Sequence, residues 1–272
     1  MLSAPPSETD PAIVKLHQWF LTPPGQYVQH WEQARLDALV DDVFGFVAVQ
    51  VGLPGLAALR HNRIPFRAYV GEHMPELALA PGWHGIVAAS ADALPLASQS
   101  VDLLVLPHVL EYAQDPHAVL REAERVLMPE GRLIILGFNP WSLWGARQRL
   151  GRRDWLPDTG RFIGLPRLKD WLKLLSFELD RGHFGCYALP LAGDQWRRRF
   201  AFLENAGDRW WPVAGAVYLV AGVKRVQGMR LVGSPLKKKR RRVRARAQVA
   251  VNRDDVAPSS PTTSVTSSHH DR

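Results

Sequence analysis

The sequence has little of what several protein classes require. A single cysteine, Cys186, among 272 residues excludes an internal disulfide and a cysteine-rich metal site. No apolar run approaches the roughly 18 residues of a membrane-spanning helix. The first residues, MLSAPPSETDP, lack the basic start and the apolar core of a signal peptide. These absences predict a cytoplasmic protein without a transmembrane segment and without a bound metal.

The formal net charge of +8 is concentrated at one end of the chain. Residues 233–272 hold ten lysines and arginines against three aspartates, a net charge of +7, so the rest of the chain carries only +1. A nearly neutral body argues against a nucleic-acid surface on the folded part. The basic run 237–246 could, by charge alone, make weak contacts to nucleic acid or to an anionic membrane. A solvated extension is the alternative interpretation.

Composition divides the chain into three parts. Residues 1–45 are predicted to form an amino-terminal helical cap, and residues 46–232 an α/β domain. Within that domain, residues 139–165 are an insertion rich in tryptophan, arginine and glycine. Residues 233–272 are basic and then rich in Ser, Thr and Pro, so they cannot bury enough apolar surface and are predicted to be disordered.

Short apolar runs alternate with helix signals, which is the pattern of a mainly parallel sheet buried on both faces. Helices are predicted at 56–61, at 168–177 and after Asp115-Pro116, an N-cap followed by proline at the first helical position. A strand, this third helix and the next strand form a right-handed βαβ unit. The predicted strands are 46–52, 66–71, 85–90, 101–106, 132–138, about 178–189 and 214–224.

Several short motifs follow one another in a specific order between residues 91 and 138. They are ADALP at 91–95, VDL at 101–103, VLEY at 109–112, RVL at 125–127 and a strand at 132–138. This order resembles the second half of class I S-adenosylmethionine-dependent methyltransferases, and most closely their ubiquinone/menaquinone-type and small-molecule group. The resemblance implies a Rossmann-like, seven-stranded, mostly parallel sheet flanked by helices, with an antiparallel last strand. It also implies S-adenosylmethionine as the cofactor.

The resemblance assigns cofactor contacts to residues at the strand ends. Glu72 follows the second strand, where a carboxylate can accept hydrogen bonds from both ribose hydroxyls. After the third strand, Asp92 can accept from the exocyclic amine of adenine, while Ala91 and Ala93 pack near the ring. A solvated loop acid at Glu72 and a turn cap at Asp92 are the alternative interpretations.

The glycine-rich turn of the family is only partly present. In the family the first strand leads into acid-x-Gly-x-Gly-x-Gly, whereas residues 50–56 read QVGLPGL. Only Gly52 is in register, and Gln50 stands in the place of the acid. This departure leaves open a second interpretation, in which the chain is a catalytically silent methyltransferase-like binding or regulatory protein.

Pro107 and His108 end the fourth strand, on the methionine side of the cofactor in the resembling family. His108 is the candidate general base, because imidazole titrates near neutral pH; a hydrogen-bonded structural histidine is the alternative. After the fifth strand, Trp141, Trp144 and Arg147 are predicted to form a substrate lid, because aromatic rings beside arginines suit an anionic acceptor or an interfacial helix. A lid that packs on the domain with its arginines in solvent is the alternative.

Together these features predict methyl transfer from S-adenosylmethionine to a small-molecule or lipid-like acceptor. Transfer from an activated sulfonium mainly requires alignment of the acceptor with the methyl group. The lack of a catalytic triad or a metal cluster is therefore no objection. A nucleic-acid-associated methyltransferase that uses the basic tail is a third interpretation.

Overall fold

The computed structural model describes residues 12–72, 82–150, 161–187 and 214–225, with side chains from residue 15 onward. By its contacts the chain divides into two units, Met1–Gly228 and Met229–Arg272, and every described residue belongs to the first. The predicted disordered tail, with its basic run, lies outside the described residues.

Six helices and seven strands are present in the described residues. The helices are α1 (Ala12–Phe20), α2 (Pro23–Val40), α3 (Val109–Tyr112), α4 (Pro116–Val126), α5 (Leu143–Arg149) and α6 (Leu165–Leu174). The strands are β1 (Val47–Val51), β2 (Phe66–Gly71), β3 (Gly85–Ala88), β4 (Val101–Pro107), β5 (Leu127–Phe138), β6 (Phe177–Gly185) and β7 (Val217–Lys224).

The seven strands form one sheet in the order β3-β2-β1-β4-β5-β7-β6. Strands β1 to β5 pair in parallel, while β7 runs antiparallel to both β5 and β6. The predicted Rossmann-like, mostly parallel sheet with an antiparallel last strand is thus confirmed. The chain moves outward from β1 to β3 and then returns to β4 on the other side of β1. A crevice therefore opens between β1 and β4, at the carboxyl ends of the strands.

Apolar side chains of each central strand alternate between two core layers. On β4, Leu103 and Val105 face the layer that contains α1 and α2, whereas Leu104 and Leu106 face the layer that contains α4 and α6. Both faces of the sheet are therefore covered. This explains why the strands read as continuous apolar runs instead of alternating with polar residues.

The two amino-terminal helices meet at a tight corner. The Thr22 side chain caps α2 by accepting a hydrogen bond from the Gly25 backbone N–H at 3.4 Å, and Pro23 occupies the first helical position. A Cβ on Gly25 would lie 2.1 Å from the carbonyl oxygen of Trp19, so only glycine permits this approach. The corner lets α2 bury Val28 and Leu36 against the sheet.

Among the local predictions that are wrong in detail, two have a clear physical reason. Residues 56–61 form turns instead of a short helix. The reason is that the Gln50 side chain donates to the Leu56 carbonyl (2.7 Å), which a helix would direct to the N–H of residue 60, whereas the Arg60 N–H bonds to the Ala57 carbonyl (3.3 Å). Strand β5 begins at Leu127, earlier than predicted, because Leu127 pairs with β4 before a shift in register.

No helix in the described parts of the chain is both long enough and apolar enough to cross a membrane. Among the same residues, no group of three or more His, Cys, Asp or Glu side chains is placed to hold a metal ion. The cytoplasmic location stays a prediction.

Candidate functional site

A cavity of about 310 Å³ opens at the carboxyl ends of β1, β2 and β3, beside the reversal in strand order. Open α/β sheets bind their ligands at this position. The size lies at the lower end of the range for small-molecule sites, which is about 300–1,000 Å³. The lining residues are Val51, Gly52, Gly71, Glu72, Ala89, Ser90, Ala91, Asp92, Val109, Tyr112, Ala113, Gln114 and Val119.

Gln50 organises the turn that follows β1. Its side chain is buried, donates to the carbonyl oxygens of Leu53 (3.0 Å) and Leu56 (2.7 Å), and accepts from the Ala58 N–H (3.1 Å). An amide can do both, because it carries a donor and an acceptor, whereas an ionised carboxylate only accepts. This role of Gln50 was not predicted from the sequence, although a polar residue inside an otherwise apolar strand was a signal for it.

Gly52 brings the backbone of this turn to the cavity wall. Its φ of +70° lies in the left-handed region, which glycine adopts without strain. Its N–H donates to the carbonyl oxygen of Val70 at 2.8 Å, so the turn is tied to the end of β2. Together with Gly71 it leaves this side of the cavity without a bulky side chain.

Glu72 stands at the end of β2 with its carboxylate exposed at the cavity. The Ser90 hydroxyl donates to Oε1 of Glu72 at 2.9 Å. Since a carboxylate offers about four acceptor positions, this single bond orients Glu72 and leaves it able to accept from a ligand.

Asp92 belongs to a loop that is held in place by α4. Glu122 accepts the Leu94 N–H at 2.8 Å, and the Arg125 guanidinium donates to the carbonyl oxygens of Leu94 (3.1 Å) and Leu96 (2.9 Å). Glu122 and Arg125 also pair with each other at 2.6 Å. The hydrogen bond from Arg125 is the main reason that the pKa of Glu122 lies below its usual value. The pair thus fixes the loop that carries Asp92.

His108 is fully buried and lies outside the cavity lining. Its Nδ1 is 2.8 Å from a Glu111 oxygen and its Nε2 is 2.7 Å from a Glu32 oxygen on α2. Burial by itself lowers the pKa of His108, but the two carboxylates outweigh it and raise the pKa to about 10. An imidazolium with both N–H groups engaged has no site to accept a proton. This is the geometry of the structural histidine, the alternative interpretation.

The structure brings some of the predicted cofactor residues together and places others elsewhere. The Ala93 side chain is exposed on the loop, and Pro107 is buried at the end of β4. Gln114 and Val119 line the cavity and were not predicted. The four predicted residues that share the cavity are Gly52, Glu72, Ala91 and Asp92.

The three predicted lid residues lie in different environments. Trp144 on α5 is only 1% exposed and packs near Tyr27 of α2, with ring centroids 6.2 Å apart. It is therefore a core residue rather than part of a lid. Trp141 is 70% exposed and lines a second cavity, whereas Arg147 is half-buried on α5. Residues 151–160 of the predicted insertion lie outside the described residues.

Comparisons with known proteins bear on this geometry. The family model "Methyltransferase domain" matches residues 68–135, the stretch from β2 to β5 that supplies most of the cavity. The uncharacterised protein YafS of Escherichia coli is 32% identical over 250 residues, which are 91% of this chain and 96% of YafS. The chain belongs to the class I S-adenosylmethionine-dependent methyltransferase family.

One further relative is similar over part of this chain, and one solved structure shares its fold. A malonyl-[acyl-carrier protein] O-methyltransferase from Laribacter hongkongensis is 33% identical over 92 residues, 34% of this chain and 31% of that protein. A solved S-adenosylmethionine-dependent methyltransferase from Archaeoglobus fulgidus superposes with a TM-score of 0.53 at 17% identity. The superposition covers 72% of this chain and 94% of the other, and it shows the shared fold.

The residues of the cavity fit S-adenosylmethionine. Gly52, Gly71 and Ala91 leave room for a flat ring system, Glu72 can accept from ribose hydroxyls, and Asp92 can accept from an exocyclic amine. When bound, the cofactor supplies a methyl group that is already activated on a sulfonium. The protein therefore has to bind it, orient it and keep water away from it.

Replacing Ser90 by alanine is expected to weaken S-adenosylmethionine binding about 2- to 10-fold, the equivalent of one ordinary hydrogen bond. The variant removes the bond that orients Glu72 but leaves the carboxylate in place. Calorimetric titration measures the affinity. Ser100→Ala is the control, because the Ser100 hydroxyl bonds to Ala97 away from the cavity. An equal loss in both variants would contradict the orienting role.

Proposed function

We propose that this methyltransferase transfers the methyl group of S-adenosylmethionine to a small-molecule or lipid-like acceptor. The supporting observation is that Gln114 lines both the cofactor cavity and a second cavity of about 720 Å³. The two cavities are neighbours, so an acceptor in the second one would lie beside the cofactor. A cavity of this size suits a small molecule or a chain end, whereas a nucleic acid requires an extended basic surface.

The charge distribution supports the same acceptor class. Apart from residues 233–272, the chain carries a net charge of only +1. Electrostatic attraction to phosphates supplies most of the affinity in non-specific nucleic-acid binding. A nearly neutral body has little of this attraction to offer.

The catalytic demand on the protein is alignment. The reaction needs the acceptor atom in line with the methyl group, and it needs a base only when the acceptor atom carries a proton. His108 does not offer one, since both of its nitrogens bind carboxylates. We therefore propose that the protein promotes the reaction by positioning the acceptor atom in line with the methyl group. If the acceptor atom carries a proton, that proton is lost to solvent.

The first test is calorimetric titration of the full chain with S-adenosylmethionine and S-adenosylhomocysteine. Binding of both is expected, and absence of binding at high micromolar ligand would contradict the proposal. The second test supplies methyl-labelled S-adenosylmethionine with separate lipid, small-metabolite and RNA fractions. Label is expected in an organic-extractable or small-molecule product. Label in RNA alone would instead favour a nucleic-acid-associated methyltransferase. Label in no fraction, despite tight cofactor binding, would favour a catalytically silent binding or regulatory protein.

A further inference from the structure

The second cavity is bounded by three separate segments of the chain. They are the α3–α4 connection, the turn after β5 with the end of α5, and the segment that leads into α6. Its lining residues are Gln114, Asp115, Pro116, His117, Pro140, Trp141, Arg149, Arg161, Phe162, Ile163, Gly164, Pro166, Arg167 and Trp171.

Two tryptophans give this cavity apolar and aromatic walls. The Arg149 guanidinium lies over the Trp141 ring, 4.8 Å from its centroid, and the Arg167 guanidinium lies over the Trp171 ring at 5.1 Å. The His117 ring packs on Trp171 with centroids 4.0 Å apart. Stacking of this kind preorganises an arginine fork for an incoming anion.

The lining contains three arginines and a single carboxylate residue, Asp115. Asp115 already accepts the His117 N–H at 2.9 Å and pairs with Arg121 at 3.3 Å, outside the lining. Within the described residues, Arg149, Arg161 and Arg167 have no carboxylate partner, so the cavity carries an excess of positive charge. Such a cavity is complementary to an anion.

Two hydrogen bonds to backbone carbonyl oxygens hold residues 161–163 next to α3 and β7. The Arg161 N–H donates to the carbonyl oxygen of Glu111 at 2.8 Å. The Tyr218 hydroxyl, fully buried on β7, donates to the carbonyl oxygen of Ile163 at 3.0 Å. These bonds anchor both ends of 161–163, and Glu111 belongs to α3, which also lines the cofactor cavity.

We propose that the second cavity is the acceptor site and that it takes an amphipathic organic anion. The apolar or aromatic body lies against Trp141 and Trp171, and a carboxylate, phosphate or sulfate group binds Arg161 and Arg167. This inference rests on the proposed methyl transfer and adds to it the chemical class of the acceptor. The anionic group provides the orientation, while the methylated atom lies on the side of Gln114, next to the cofactor.

The test uses two fluorescent probes with the same aromatic body, the anion 8-anilinonaphthalene-1-sulfonate and the neutral N-phenyl-1-naphthylamine. The full chain is expected to bind the sulfonate more tightly. The double variant Arg161→Gln, Arg167→Gln is expected to weaken sulfonate binding at least about 10-fold, since bonds to charged groups are strong, and to leave the neutral probe nearly unchanged. The control Arg60→Gln, Arg63→Gln removes the same charge at surface pairs outside the cavity lining.

Equal weakening of both probes, or none for either, would overturn the assignment of an anion site. The sulfonate should also inhibit methyl incorporation in competition with the acceptor fraction and not with S-adenosylmethionine; the reverse pattern would overturn the acceptor role.

Calorimetry separates the failure of this acceptor site from the failure of the proposed methyl-transfer function. If S-adenosylmethionine does not bind the unaltered chain, the methyl-transfer function fails, whatever the probes show. If it binds equally to the chain and to the arginine variant, any failure of the probes belongs to the acceptor site alone.

Discussion

Replacing Glu72 by alanine is expected to lower the affinity for S-adenosylmethionine about 10- to 100-fold. Glu72, at the end of β2, is the predicted acceptor for the ribose hydroxyls, and Ser90 holds it beside the cavity with a 2.9 Å hydrogen bond. The expected loss corresponds to roughly 1.5–3 kcal/mol in total, the value of one hydrogen bond to a charged acceptor. It is smaller than the sum for two ribose hydroxyls because Glu72 is exposed, so water can replace part of the lost bonding. The affinity is measured by calorimetry at constant pH and salt.

Matched variants make the result specific. Glu72→Gln keeps the shape and one acceptor but loses the charge, so an intermediate affinity is expected. Asp92→Ala is expected to weaken binding less than Glu72→Ala, because a single amine is its only assigned partner. Glu130→Ala removes an exposed carboxylate that pairs with Arg225 outside the cavity lining, and it should bind like the unaltered chain. Unchanged affinity in both cavity variants would refute the site.

Replacing His108 by alanine is expected to lower the free energy of unfolding by about 3–5 kcal/mol, the usual effect of removing one partner from a buried ionic network. His108 and Glu32 have no exposed side-chain surface, and Glu111 is 1% exposed. The variant leaves two carboxylates buried with no cation between them. Burial already raises the pKa of Glu111, and its bonds to His108 and to the Phe138 N–H lower that pKa only in part. Loss of the imidazolium therefore removes a main interaction that offsets the cost of burying the two carboxylates.

Urea unfolding at pH 6.5 measures this effect. Asp37→Asn is the control, because it breaks a surface pair with Arg60 and is expected to cost about 0–1 kcal/mol. A loss at His108 no larger than at Asp37 would show that the buried network contributes little to stability. The measurement also tests the interpretation of His108, since a catalytic base would alter turnover while leaving stability nearly unchanged.

The stability is also expected to depend on pH in one direction. The folded pKa of His108, about 10, is above the ordinary value of about 6.5, so the folded chain holds this proton more tightly than the unfolded chain. The stabilisation is therefore complete below about pH 6.5 and is lost as the pH rises toward 10. The raised pKa of Glu111 acts in the same direction. His108→Gln should flatten this decline, and equal slopes in variant and unaltered chain would contradict it.

The buried network also connects the amino-terminal helices to the cofactor side of the sheet. Glu32 lies on α2, His108 follows β4, and Glu111 lies on α3, next to Tyr112 and Gln114 of the cavity lining. The bond between His108 and Glu32 joins segments that are 76 residues apart, whereas the bond between His108 and Glu111 is local. Damage to this network would be expected to disturb the cofactor cavity through α3, without any contact between His108 and the cofactor.

Much of the fold was predictable from local patterns. Buried parallel strands appear as apolar runs such as VDLLVL, and Asp115-Pro116 marks the start of α4, because both signals depend on neighbouring residues alone. The extent of β5 was not predictable, since its start is decided by pairing with Val101 on another strand. The predicted helix at 56–61 failed for the same kind of reason, because the side chain of Gln50 bonds to the Leu56 carbonyl oxygen that the helix would use.

The sequence by itself determined the order of elements, the family resemblance and the polar residues at strand ends, because these follow from residue type and short-range spacing. Only the tertiary structure decided what each polar residue does. It placed Glu72 and Asp92 in one cavity, enclosed His108 between two glutamates, and buried Trp144 while leaving Trp141 exposed. These outcomes depend on contacts across tens of residues, where burial and pairing, and not residue type, set the pKa and the accessibility of a side chain.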